Sequence, residues 1–168
     1  WWESADTATL ITRPRRFGKT MNMDMLNCFF SNRFQGRGDL FEGLSIWKEE
    51  AYRRLQGTYP VIFVSFADVK QDNCKDAVQK IKNIIAQVYR QFFDEQDEKL
   101  PEQIAQVMRA DMSDVMAQGA LQRLSEELAG RYGKKVLIFL DEYDTPMQEA
   151  YLHGYWDEFT GFIRGLFN

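Results

Sequence analysis

The run Val136-Leu137-Ile138-Phe139-Leu140-Asp141-Glu142-Tyr143-Asp144 decides how the chain is read. Val136 to Leu140 is the most apolar stretch in the sequence, with the length and composition of a strand buried on both faces. It ends abruptly on two carboxylates. In an open α/β sheet, ligands bind beyond the carboxyl ends of the strands, so an apolar strand ending in acids delivers them to that rim. Val61-Ile62-Phe63-Val64-Ser65-Phe66, introduced by Pro60, is a second run of this kind. Ala8-Thr9-Leu10-Ile11-Thr12 reads as a third, shorter buried strand, stopped by Arg13-Pro14.

Between the strands the apolar period changes to that of helices. Gly18-Lys19-Thr20 opens a helical stretch to about Phe30, with Met21, Met25, Leu26 and Phe29 on one face and Met21, Met23 and Met25 read as packing residues. Gly36, Gly38 and Gly43 punctuate a loop, and Ile46 to Leu55 forms a short helix ending before Gly57. A long helix is expected from Cys74 to Phe93 on Val78, Ile81, Ile84, Ile85, Val88 and Phe92. The acidic stretch 94–98 ends it as a solvated linker, and Pro101 suits the first turn of the next helix. Asp114 to Gly130 repeats the pattern through Ala117, Leu121, Leu124 and Leu128, closed by Gly130 or Gly133. A last helix, Tyr155 to Phe167, carries Trp156, Phe159, Ile163 and Phe167. Strands alternating with long helices predict an α/β domain of βα units around a mainly parallel sheet.

Composition narrows the function. With 168 residues, 45% hydrophobic and 27% charged, the chain has material for one α/β domain with a real core. A net charge of −4 argues against a protein that coats DNA, though not against a local basic site. Two cysteines 46 positions apart and a single histidine supply neither a disulfide framework nor a zinc site. No apolar run approaches the roughly 18 residues of a membrane span, and the first residues do not form a signal peptide, so a cytoplasmic protein is expected. The start at Trp1-Trp2 and the end within an apolar-periodic stretch suggest a piece of a longer protein.

Chemistry concentrates in two motifs. Arg13-Pro14-Arg15-Arg16-Phe17-Gly18-Lys19-Thr20 sits between a strand and a helix, as the phosphate-binding loop G-x-x-x-x-G-K-[ST] does, but Arg13 replaces the leading glycine. Pro14, Arg15, Arg16, Phe17, Gly18, Lys19 and Thr20 are the expected nucleotide-binding residues. Gly18 admits close backbone approach, Lys19 reaches the outer phosphates, and the helix N-terminus adds free donors and partial positive charge. The Thr20 hydroxyl and the Asp141 carboxylate are the expected Mg²⁺ ligands, and Glu142 is the expected catalytic base toward the attacking water. Gly-Lys-Thr alone also fits an ordinary turn with an exposed lysine, and Asp-Glu alone fits a polar strand exit. Their co-occurrence at strand ends is what points to a nucleotide site with Mg²⁺.

Four segments resemble one family. They are residues 13–20, Leu40-Phe41-Glu42-Gly43-Leu44-Ser45-Ile46, Tyr59-Pro60-Val61-Ile62, and Leu140-Asp141-Glu142-Tyr143-Asp144-Thr145-Pro146. Together they resemble the predicted AAA-ATPase-like family of bacteria, over about Thr9 to Asn168. The resemblance implies a P-loop NTPase fold, a three-layer αβα sandwich, with arginine in place of the first loop glycine. It implies ATP as the nucleotide and, in family members, a C-terminal PD-(D/E)XK-type nuclease domain that these residues do not supply. It also implies a sensor strand after the Asp-Glu strand, lying between that strand and the loop strand. Residues 1–168 are then a partial domain, truncated before the sensor strand, with unpaired strand edges and poor stability in isolation.

Two other readings stay open beside an ATPase: a nucleotide-gated binding module with little turnover, and a degenerate loop that binds no nucleotide. Nucleic acid and oligomer partners are compatible with all three. His153 reads as a loop or capping residue, Asp144 and Thr145 as turn formers before Pro146, Ser65 as a strand terminus and Cys28 as a small core residue.

Overall fold

Two parallel strands, β1 (Val61–Ser65) and β2 (Leu137–Asp141), form the sheet among the described residues. The computed structural model describes Trp2, residues 8–12 and residues 16–167. The register runs from Val61 opposite Leu137 to Ser65 opposite Asp141, so both strands end at the same rim. Leu137 N–H donates to Pro60 O at 3.0 Å, and Phe66 N–H to Asp141 O at 3.0 Å, which extends the ladder past both ends.

Side chains alternate across a strand, and paired residues of neighbouring strands share a face. The even-numbered residues Ile62, Val64 and Leu140 enter the larger core. There they meet α4 (Cys74–Tyr89), α7 (Ala120–Tyr132) and α9 (Trp156–Leu166) through Ile81, Ile85, Leu124, Leu128 and Phe159. Val61, Phe63, Leu137 and Phe139 enter a second cluster with Phe29 and Phe30 of α1 (Lys19–Phe30). That cluster is rich in rings: Phe29 packs edge-on to Phe41 at 5.0 Å, and Trp2 stacks on Phe30 at 4.8 Å. Helices therefore cover both faces of an α/β sheet.

Several helices form where the sequence places them, for legible reasons. Gly18 precedes α1, which ends at Phe30. At α4, Asn73 Oδ1 accepts from Asp76 N–H at 2.9 Å, and Val78, Ile81, Ile85 and Val88 are buried on one stripe. Gly133, at φ 63°, takes the left-handed position that ends α7. Pro101 stands just before α5 (Glu102–Met108).

The differences are equally specific. Residues 8–12 form no strand; Leu10 and Ile11 are exposed and pair with neither β1 nor β2. A strand is held by its ladder, and no described neighbour offers residues 8–12 one. On α1, Phe29 is buried and Leu26 half-buried, but Met21 and Met25 lie exposed, so the expected apolar stripe is covered only at its C-terminal end. The stretch 46–55 splits at the extended Glu49 into α2 (Ser45–Lys48) and α3 (Glu50–Arg53). The helix expected to reach Phe93 stops at Tyr89. Gly119 divides the next one into α6 (Asp114–Gln118) and α7, as a residue of low helix propensity can. Thr145-Pro146 opens a helix, α8 (Thr145–Leu152), where a turn is expected, because proline is well suited to a first helical turn. On α9 the buried residues are Phe159, Phe162 and Leu166, while Trp156 and Phe167 are largely exposed.

Two measurements check this packing. Leu124, 1% exposed within the larger core, should cost about 3 kcal/mol when cut to alanine, read by denaturant unfolding. Tyr89 donates its hydroxyl to Ala120 O at 2.7 Å, and burial pushes that hydroxyl from the ordinary 10 to about 12. A folded-state value above the unfolded one gives a contribution complete below pH 10 and lost as pH rises through 12. Tyr89→Phe should therefore flatten the fall of stability over that window.

Candidate functional site

Asp141 is the last residue of β2, 4% exposed, and its position in the alternation puts it on the face that carries Phe139. Ser65 stands opposite it in the register, on the same face and at the same rim. This is the face over which α1 packs. The sheet thus presents the Asp141 carboxylate and the Ser65 hydroxyl on the side that also holds the helix opened by Gly18-Lys19-Thr20.

The N-terminus of α1 is built open. Gly18 precedes it at φ 71°, ψ 24°, no side chain among the described residues caps it, and its first turn carries no acid. Its first N–H groups are therefore left to solvent or to an anion. A β-carbon at position 18 would meet only the Met21 Cε at 3.6 Å, so the positive φ, rather than crowding, is what calls for glycine there. Arg16 is also left-handed, at φ 67°, and exposed. Phe17 is exposed, Lys19 half-buried and Thr20 exposed. Pro14 and Arg15 lie outside the described residues.

Glu142 follows Asp141 at φ 50°, a conformation that costs a side-chain-bearing residue about 1–2 kcal/mol. Its Oε2 accepts from the Thr145 hydroxyl at 3.3 Å, and its carbonyl accepts from Thr145 N–H at 3.1 Å. The strained residue is thereby tied to the first turn of α8. Asp144, one residue before that helix, accepts from Gln148 Nε2 at 2.8 Å. Among the described residues no side chain donates to the Asp141 carboxylate, whose oxygens are not among the fully enclosed atoms left without a partner, so they keep an opening to solvent or to a cation. Oxygen donors from a hydroxyl and a carboxylate are what Mg²⁺ prefers, so Thr20 and Asp141 fit that ion chemically. Among the described residues no group of three or more His, Cys, Asp or Glu gathers at one point, so a metal here would not sit in an all-protein cage.

The structure thus places Asp141, Ser65 and α1 on one side of the sheet, with Glu142 and Thr145 in the turn that leaves it. Sequence reasoning set Thr145 and Ser65 aside; the three-residue spacing from Glu142 to Thr145 is the signal that ties the first to the site. His153 lies at the end of α8, its N–H donating to Glu149 O at 2.9 Å, and its Nε2 is 3.4 Å from the Glu149 carboxylate. It is a capping residue, as its sequence context suggests. Cys28 is half-buried beside the aromatic cluster.

Compared with known proteins, the chain matches one family model, described as a predicted AAA-ATPase, over residues 3–168. No curated protein matches it, and no solved structure does.

The backbone at Glu142 is directly testable. Glu142→Gly should raise stability by about 0.5–1 kcal/mol in thermal or denaturant unfolding, since relief of the left-handed strain exceeds the entropy glycine adds to the unfolded chain. A loss of stability would mean that the Thr145 hydrogen bond outweighs the strain.

Proposed function

The chain belongs to the predicted AAA-ATPase family, and from that premise we propose that it is a P-loop module that binds and hydrolyses Mg-ATP. The observation that carries the proposal is the shared face: the start of α1 and the Asp141 carboxylate belong to the same side of the sheet. In this reading the three-layer αβα sandwich is the fold, and Arg15 to Thr20 cradle the phosphates together with Pro14.

Each residue then has a physical task. The open N–H groups of α1 and the Lys19 ammonium attract the outer phosphates. Thr20 and Asp141 hold Mg²⁺, which when bound neutralises charge on the phosphate oxygens. Glu142 accepts the proton of a water as its oxygen bonds to the γ-phosphorus, and the bond from that phosphorus to the bridging oxygen breaks to release ADP. Thr145 holds the Glu142 carboxylate by Oε2, which leaves Oε1 to accept the proton of the water. The nuclease domain implied by the resemblance is the partner on which such turnover would act, nucleic acid and further subunits are compatible with it, and the cytoplasm is the compartment that suits it. Among the described residues no helix is long and apolar enough to cross a membrane.

A second reading draws on the same Glu142–Thr145 hydrogen bond. A carboxylate held in its own turn suits a module that binds ATP and changes its contacts without turnover.

Binding separates both readings from an empty loop. Lys19→Ala should weaken ATP affinity at least about ten-fold in calorimetric titration, as loss of a charge-assisted phosphate contact does. Asp141→Asn should abolish the Mg²⁺ dependence of that affinity. Unchanged affinity in Lys19→Ala would refute the site.

A further inference from the structure

Along α8 lies an open groove of about 520 Å³, walled by Met147, Tyr151, Leu152 and Trp156. It shares Tyr151 and Trp156 with a second hollow of about 780 Å³ at the start of α9. Tyr151 and Leu152 are 75% and 72% exposed, an unusual degree for adjacent large apolar-bodied residues on one helix. The Tyr151 and Trp156 rings stand edge to face, 6.3 Å apart. Beneath them the floor is fixed: Tyr155 donates its hydroxyl to Gln71 O at 2.7 Å, its ring abuts that of Phe159, and Ala150 and Phe159 are fully buried.

The rim has a single sign. Asp144, Asp157 and Glu158 line the two hollows, and no lysine or arginine does. None of the three forms an ion pair among the described residues. Glu149, nearby, already faces His153. Aromatic faces attract cations, and carboxylates around an apolar floor add attraction for positive charge while repelling phosphate.

We propose that this groove docks a cationic peptide segment of a partner protein, one bearing arginine or lysine next to an aliphatic side chain. The aliphatic side chain occupies the floor between Met147 and Leu152. The cation lies against Tyr151 or Trp156 within reach of Asp157 and Glu158. Because α8 begins at Thr145, the hydrogen-bond partner of Glu142, a segment seated on α8 bears on the helix that holds the carboxylate. Docking itself does not rest on the nucleotide reading, and is tested without nucleotide.

The experiment is calorimetric titration of the protein with the blocked peptide Gly-Arg-Leu-Arg-Gly and, in parallel, Gly-Glu-Leu-Glu-Gly. The arginine peptide should bind at least about ten-fold more tightly, and raising the salt should weaken it. Trp156→Ala and Tyr151→Ser should each weaken it about three- to ten-fold, as loss of a cation–π partner does. Tyr151 is so exposed that its substitution leaves the fold intact, which circular dichroism checks. The double variant Asp157→Asn, Glu158→Gln should reduce the preference for arginine over glutamate. Equal binding of the two peptides, or indifference to Tyr151→Ser, would each overturn the proposal.

Discussion

The arrangement of the molecule depends on one register. Pairing Val61 with Leu137 carries Ser65 to Asp141, and with it the division of side chains between two cores. A slip by one residue would turn Asp141 into the larger apolar core and Leu140 toward α1. That alternative buries an unanswered carboxylate among Ile62, Val64 and Phe159, at a cost of several kcal/mol. The hydrophobic pattern of β2 and its terminal acid therefore act together: the apolar residues fix the strand in place, and the fixed strand puts the acid at the rim.

The site side of the sheet is finished unevenly. At its C-terminal end α1 is sealed by Phe29, Phe30 and the rings around them. At its N-terminal end Phe17, Met21 and Met25 are exposed, as are Leu10 and Ile11 before it. The opposite face has a gap of its own, since Ile138, in the middle of β2, is 42% exposed. A helix start left uncapped and a backbone held at positive φ at both Arg16 and Glu142 are costs that packing elsewhere must offset. Among the described residues, two of the three non-glycine residues at positive φ lie in the two motifs, and the third, Ala110, lies between Met108 and Met112 of the larger core, where Ile62, Ile81, Ile85 and Leu128 are fully buried.

Much of this was legible in the residues. The two continuous apolar runs became β1 and β2, and the stripe of Val78, Ile81, Ile85 and Val88 became the buried face of α4, since runs and stripes leave distinct periods; β2 departs from the expected burial on both faces, with Ile138 exposed and Leu140 half-buried. The expected strand at residues 8–12 failed for a reason no window of sequence contains: a strand needs a neighbour, and which neighbour is free is a matter of topology. Met21 and Met25 have helical spacing, but spacing does not say what lies opposite. Helix α8 went unread because Thr145-Pro146 serves a turn and a helix start equally well, and the decision rests with Ala150 and Pro146 entering the interior. In the candidate site, Gly18, Lys19, Thr20, Asp141 and Glu142 stand out by residue type and position alone. The contribution of Thr145 and the placement of Ser65 opposite Asp141 emerge only from the turn and the register.

The central claim is that α1 and the Asp141-Glu142 pair form one hydrolytic site. The most direct measurement is phosphate release from Mg-ATP by the full-length protein and by its Glu142→Gln variant, since residues 1–168 alone are not expected to turn over, with ATP binding recorded for both and with DNA present and absent. The account predicts turnover by the unaltered protein, abolished in the variant while ATP still binds. Turnover that survives Glu142→Gln, or ATP binding by both proteins with turnover by neither, would contradict it.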